Sequence, residues 1–123
     1  MAERFREFEL DRSKRRLLCR GDPVEIGQLT LDLLMYLIDH RDRVIPRREL
    51  QSAVWRGRKV SPSTIPTAIN VLRNTFRDSA RESEVIRTVY GRGYQWIAGV
   101  EEAEASNVRD ARGRARHFFG RRV

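Results

Sequence analysis

Between Ser61 and Arg77 the chain reads SPSTIPTAINVLRNTFR, and a single apolar stripe runs through it. Ile65, Ala68, Ile69, Leu72 and Phe76 stand at i, i+3, i+4, i+7 and i+11, the spacing of one buried helix face. At about 100° per residue, Ser63, Thr67, Asn70 and Asn74 gather opposite that stripe. Val71 falls to one side of them, Arg73 and Arg77 to the other. This outer face lacks the i, i+4 charge pairs that an ordinary solvated helix tends to carry. Short donors and acceptors flanked by long cations suit a groove of a duplex, with bases at the floor and phosphates at the rim. Pro66 limits where the helix can begin. With Ser63 as cap, Pro66 falls in the first turn, where backbone donors have no helical partner in any case. The regular helix is therefore expected from Ser63 or Thr64, with Ser61-Pro62 as a lead-in.

What precedes this segment supplies a partner helix. Leu50, Ala53 and Val54 mark the inward side of a helix from Pro46 or Arg47 to Trp55, with Trp55 a core aromatic at its end. A compact basic loop, Arg56-Gly57-Arg58-Lys59-Val60, joins the two. Two helices joined by a short Gly-containing turn, the second with an odd polar face, follow helix-turn-helix logic. Upstream, residues 30–40 are apolar nearly all round, which predicts a central helix, with Thr30 as its N-cap and Asp32 in its first turn. His40 is expected to cap that helix or to be solvated. Val44 and Ile45 have the character of a brief strand.

Residues 4–26 predict a small antiparallel meander. Phe8 and Leu10 alternate with Glu7, Glu9 and Asp11, and Phe5 precedes them out of phase. Leu17 to Cys19 form a second strand, Gly21-Asp22 a turn, and Val24 and Ile26 a third strand. At the other end, residues 85–89 and 94–98 predict a hairpin around Tyr90-Gly91-Arg92-Gly93. Its glycines permit positive φ and close approach to another molecule, and Arg92 stands where a minor-groove or phosphate contact is wanted.

Charge points to the class of partner. The chain carries net +8, with arginine supplying 23 of 25 cations, so a polyanion is expected, nucleic acid before anionic membrane. Residues 101–123 hold six cations and four acids, so residues 1–100 carry +6 and the inference does not depend on the tail. That tail, taken from residue 100 onward, reads as a mobile charged segment or a short helix over 107–119, with Phe118 and Phe119 as a candidate docking pair. Cys19 is the one cysteine, which suits a reducing cytoplasm and gives no thiolate metal site. No apolar run approaches the roughly 20 residues of a membrane span. The two histidines, His40 and His117, have no partner at ligand or triad spacing, so no metal, cofactor or enzymatic role is expected.

Taken in order, these segments resemble the winged-helix DNA-binding domain of the OmpR/PhoB class of bacterial transcription regulators, including CadC/ToxR-like one-component regulators. The resemblance covers roughly residues 5–98 and rests on LT-x₂-LL, REL-x₃-VW, I-x₂-LR and RTV-x-GRGY together. It implies an α+β fold with an N-terminal antiparallel sheet, three helices and a C-terminal β-hairpin wing, here a domain over residues 4–99. It further implies a major-groove third helix, a minor-groove wing, and double-stranded DNA as partner, with a homodimer of this chain on DNA as a further expectation. Ser63, Asn70, Val71 and Arg73 match family DNA contacts on the helix, and Thr88 and Tyr90 match them beside the wing. Thr67, Asn74, Arg77, Arg87 and Arg92 join them on the residue chemistry. The Arg56, Arg58 and Lys59 loop matches the segment through which some relatives touch RNA polymerase.

Overall fold

A computed structural model describes residues 2–103. Its elements follow in the order β1 (Ala2–Phe5), β2 (Phe8–Asp11), β3 (Arg16–Cys19), β4 (Asp22–Val24), α1 (Gln28–Asp39), α2 (Arg47–Ala53), α3 (Thr64–Phe76), β5 (Ile86–Val89), β6 (Gly93–Trp96) and β7 (Glu101–Ala103). The chain divides into two compact units. One is Gly27–Ala98, and the other combines, among the described residues, 2–26 with 99–103.

The phase break after Phe5 is a hairpin turn. Phe5 stands opposite Phe8 and the two rings stack at 6.0 Å, so the expected three-stranded meander gains a strand at its start. It gains another from the presumed tail, because Glu101–Ala103 pair antiparallel with β1, placing Glu101 opposite Arg4. The result is a five-stranded sheet in the order β4-β3-β2-β1-β7. Cys19 pairs with Asp22, so the turn is Arg20-Gly21 and not Gly21-Asp22, and the following strand lies at 22–24. Both turn residues have positive φ, 53° and 87°, as a two-residue type I′ hairpin requires.

The middle strand β2 departs from simple alternation, since Glu9 and Asp11 are buried along with Phe8 and Leu10. Arginines nearby account for this. Arg4 Nε donates to Glu9 Oε1 at 3.2 Å, and Arg16 Nε lies 3.5 Å from Asp11 Oδ2. Asp11 Oδ1 also accepts from Ser13 Oγ at 2.9 Å, so both carboxylates keep polar company out of water.

In the second unit α1 buries Leu31, Leu33, Leu34, Leu37 and Ile38, as its all-round apolar character requires. Its start corrects the expectation. Gly27 is the N-cap, Thr30 lies inside the first turn, and that turn holds no acid. His40 caps the other end, its N–H donating to the Tyr36 carbonyl at 3.1 Å while the Arg41 N–H donates to the Ile38 carbonyl at 3.3 Å. α1 lies against α3 and β6, and α2 against α3. Phe76 meets the Trp96 ring edge-on at 5.8 Å, joining the helical layer to the wing's root. Expectations for residues 104–123, Phe118 and Phe119 included, lie outside the described residues.

Candidate nucleic-acid interface

α3 begins where Pro66 demanded. Ser63 is the N-cap, Thr64 the first helical residue and Pro66 the third. Ser61 leads in, its carbonyl accepting the Thr64 N–H at 3.0 Å and its hydroxyl lying 3.1 Å from Thr64 Oγ1. The apolar stripe is buried at Ile65, Ile69, Leu72 and Phe76. Opposite it, Ser63, Thr67, Asn70, Val71 and Asn74 are all exposed, forming a continuous neutral polar strip with one aliphatic flank.

Arg73 is not on that strip. It was expected at the rim, and the structure places it inside, 6% exposed. Its Nε and Nη2 donate to the Ile86 carbonyl at 3.3 and 3.0 Å, and Nη2 also donates to Thr88 Oγ1 at 2.7 Å. The helical wheel held the signal. Arg73 follows Ile69 by four residues and precedes Phe76 by three, so it shares a flank with two buried side chains. Arg77 is exposed and ends the helix in the left-handed region, φ 58° and ψ 41°. Its N–H, and that of Asp78 at 2.8 Å from the Arg73 carbonyl, close a Schellman-type cap that usually employs glycine.

Asp78, one residue on, organises the loop to the wing. Its carboxylate accepts from the N–H groups of Glu84 at 2.7 Å, Val85 at 3.2 Å and Ile86 at 2.9 Å. Partial burial pushes this carboxyl up, but the bonds from Ile86, Glu84 and Val85 outweigh it and leave the pKa below its ordinary value.

The wing is a three-residue hairpin, with Val89 paired to Gly93 and Tyr90-Gly91-Arg92 at the tip. The Arg92 N–H donates to the Val89 carbonyl at 2.9 Å, and Gly91 takes the positive φ of 77° needed at the third position of such a turn. Tyr90 is 90% exposed, and Arg92 and Arg87 are exposed as well. Arg87 leans across the hairpin, Nη2 donating to Gln95 Oε1 at 2.7 Å. Thr88 is half-buried, its hydroxyl taken by Arg73. The close approach expected of the tip glycines is internal at Gly93. Tyr94 and Ile45 exchange two backbone hydrogen bonds of 2.7 and 3.0 Å, which brings the Ile45-Pro46 backbone against Gly93. The brief strand anticipated at Val44-Ile45 is this bridge at Ile45.

Between the wing and the start of α2 lies an open concavity of about 1050 Å³, walled by Arg47, Arg48 and Ser52 on one side and Tyr90 and Arg92 on the other. Arg47 and Arg48 are exposed and were not singled out from sequence. The signal was a pair of arginines opening the first helix of the two-helix motif. Their neighbour Glu49 also lines the concavity, with its carboxylate already engaged. Arg43 Nη1 donates to its Oε1 at 2.9 Å and the Tyr36 hydroxyl donates to its Oε2, fixing α2 to the end of α1. Those bonds, Arg43 first and then Tyr36, lower the Glu49 pKa to about 2, and the same carboxylate raises the Tyr36 phenol. The basic loop is anchored rather than slack. Gln51 Nε2 donates to the Arg58 carbonyl at 2.9 Å and the Gly57 N–H to the Gln51 carbonyl at 2.9 Å, leaving Arg56, Arg58 and Lys59 exposed.

Comparison with known proteins agrees with this geometry. The family model described as "Transcriptional regulatory protein, C terminal" matches residues 21–96. The cholera toxin transcriptional activator of Vibrio cholerae serotype O1 is 34% identical over 110 residues, covering 85% of this chain and 37% of that protein. The phosphate regulon transcriptional regulatory protein PhoB of Klebsiella pneumoniae is 30% identical over 92 residues, 74% of this chain and 40% of that protein. The chain thus spans well under half the length of these relatives. Among solved structures, the Klebsiella pneumoniae RstA DNA-binding domain in complex with the RstA box aligns with a TM-score of 0.69 at 26% identity, covering 78% of this chain and 96% of that one. The DNA-binding domain of E. coli CadC aligns with a TM-score of 0.69 at 28% identity, covering 81% and 94%. From its N-terminal antiparallel sheet to its three helices and hairpin wing, the chain belongs to the OmpR/PhoB-type family of winged-helix DNA-binding domains.

Proposed function

We propose that this chain is the DNA-binding part of a bacterial transcriptional regulator, acting in the cytoplasm on sequence-specific sites in double-stranded DNA. α3 enters the major groove and the wing tip lies in the adjacent minor groove. One observation carries this: five short or neutral side chains, Ser63, Thr67, Asn70, Val71 and Asn74, are exposed together on a helix whose opposite face is buried. Asn70 offers the donor–acceptor pair that suits adenine, Thr67 and Asn74 offer single contacts, and Val71 a surface for a thymine methyl. Cations surround this strip instead of sitting on it. Arg77 at its end, Arg47 and Arg48 across the concavity, and Arg87 and Arg92 on the wing hold phosphates and fix register. Tyr90 and Thr88, whose hydroxyl oxygen accepts from Arg73 and whose proton is left to donate, complete the wing side, and the Arg56–Lys59 loop faces a protein partner such as RNA polymerase.

A second reading draws on the burial of Arg73, which leaves the outer face of α3 without a cation before Arg77. On that reading the same winged helix is an adaptor contacting RNA polymerase or another regulator. Selection from a random duplex pool, with a salt titration of the winner, separates the two. A regulator enriches a defined motif and loses affinity steeply with salt. An adaptor yields weak, sequence-blind binding. Enrichment of paired motifs one helical turn apart would indicate two copies on one site.

A further inference from the structure

We propose that Arg73 is an internal positioning residue that locks the wing to α3, and not a phosphate contact. The inference rests on the DNA-binding reading for its consequence and on the geometry of the unbound protein for its existence.

β5 has a strand partner on one side only, since the wing sheet contains two strands in the order β5-β6. The polar groups of Ile86 are met from the end of α3 instead. Asp78 Oδ2 accepts the Ile86 N–H at 2.9 Å, and Arg73 donates twice to the Ile86 carbonyl, at 3.3 and 3.0 Å. A third donation, to Thr88 Oγ1 at 2.7 Å, fixes the next inward residue of the strand. Within six residues, the helix therefore grips the wing's root by a donor fork and an acceptor.

The placement of Arg73 argues for a dedicated role. Among the described residues its guanidinium has no carboxylate partner, yet it is 6% exposed. An arginine stem is long enough to carry its charge out to water, and doing so relieves desolvation. Here the charge stays inside because a carbonyl, a hydroxyl and the negative end of α3, in whose last turn Arg73 lies, together meet it. Lysine has the charge without the planar fork and cannot hold both acceptors in the same way.

Position at the root gives the lock leverage. Tyr90 lies four residues beyond Ile86, roughly 13 Å of strand, so a tilt of about 10° at the root moves the tip by about 2 Å. That is enough to spoil simultaneous seating of α3 and the wing. Loosening the lock therefore weakens DNA binding by raising the ordering required on association, with the phosphate contacts themselves intact.

The test uses Arg73→Lys, Arg73→Met and Thr88→Val, the last trimming one acceptor while retaining the guanidinium. Without DNA, amide exchange at Val89, Arg92 and Tyr94 should accelerate at least tenfold in Arg73→Lys and several-fold in Thr88→Val, with interior α3 amides unchanged. With the selected duplex, Arg73→Met should bind at least tenfold more weakly at an unaltered slope of log K against log salt. Removing Arg92 as well should then weaken binding less than it does in the wild type. A slope shallower by about 0.9 in Arg73→Met, the signature of one lost phosphate contact, with wild-type exchange in the wing, overturns the proposal. Should Arg73→Met fail to fold, the exchange rates of the other two variants decide. If the wild type binds no duplex, the functional reading falls, and exchange alone still decides whether the lock exists.

Discussion

Replacing Gly93 by alanine tests how the wing is mounted. A Cβ on Gly93 would lie 2.0 Å from the Ile45 carbonyl oxygen, 2.7 Å from its carbon and 2.9 Å from Pro46 Cα. All three are backbone atoms, so no side-chain rotation makes room. The residue also holds φ at 146°, where a side chain adds strain of about 1–3 kcal/mol. Relief requires Ile45 to retreat and give up its two hydrogen bonds with Tyr94, each worth about 0.5–1.5 kcal/mol. The expected loss is about 2–6 kcal/mol, a large share of a small domain's stability. Gly91→Ala is the control. Its φ of 77° carries strain, but nothing lies within 4 Å of the added carbon, so about 1–2 kcal/mol is expected. Urea unfolding at pH 7 reads both as midpoint shifts at constant slope. If Gly93→Ala proved no more destabilising than Gly91→Ala, the steric mounting of the wing on Ile45-Pro46 would be wrong.

Three other substitutions separate stability from recognition. Asp78→Asn should cost about 1–3 kcal/mol at pH 7 through weakened acceptance of three N–H groups. Because the folded-state pKa is depressed, the carboxylate's contribution is full above its ordinary value of 3.8 and fades as pH falls through the lower folded value. The variant should therefore lose less stability than wild type between pH 5 and about pH 2, as read by unfolding midpoints. Arg77→Gly should stabilise by about 0.5–1 kcal/mol by relieving the left-handed cap, while flattening the salt slope of DNA binding by about 0.9; loss of stability would contradict the cap strain. Asn70→Ala should leave thermal stability within about 0.5 kcal/mol and relax base preference at one position by about 1–3 kcal/mol in competition assays.

Local rules made most of the helical layer legible. Pro66 located the start of α3, the 3.6 periodicity separated its buried stripe from Thr67, Asn70 and Asn74, and Trp55 fell in the core, although α2 stops at Ala53, two residues before it. Long-range pairing was not legible. Nothing local distinguishes Glu101–Ala103 from a charged tail, because its strand state exists only through β1, almost the whole described chain away. Gly93 was read as open to a ligand because its intramolecular neighbour, Ile45, is equally remote in sequence. Arg73 was misplaced for a chemical reason. A charged side chain reads as exposed by default, and only the Ile86 carbonyl, the Thr88 hydroxyl and the end of α3, brought together by the fold, make burial tolerable. Each of the three hairpin turns joining β1 to β4 carries an arginine at positive φ, Arg6, Arg15 or Arg20, where glycine or asparagine is usual, so the first turn is not legible locally and the last reads one residue late.

A titration of isotope-labelled protein with the selected duplex, followed by backbone amide shifts, bears most directly on the claim that α3 and the wing bind the duplex together. The largest changes should fall at Ser63, Thr67, Asn70, Val71 and Asn74 and again at Tyr90 to Arg92, with Arg47 and Arg48 following. Changes concentrated in the Arg56–Lys59 loop or the N-terminal sheet, with the outer face of α3 silent, would contradict it.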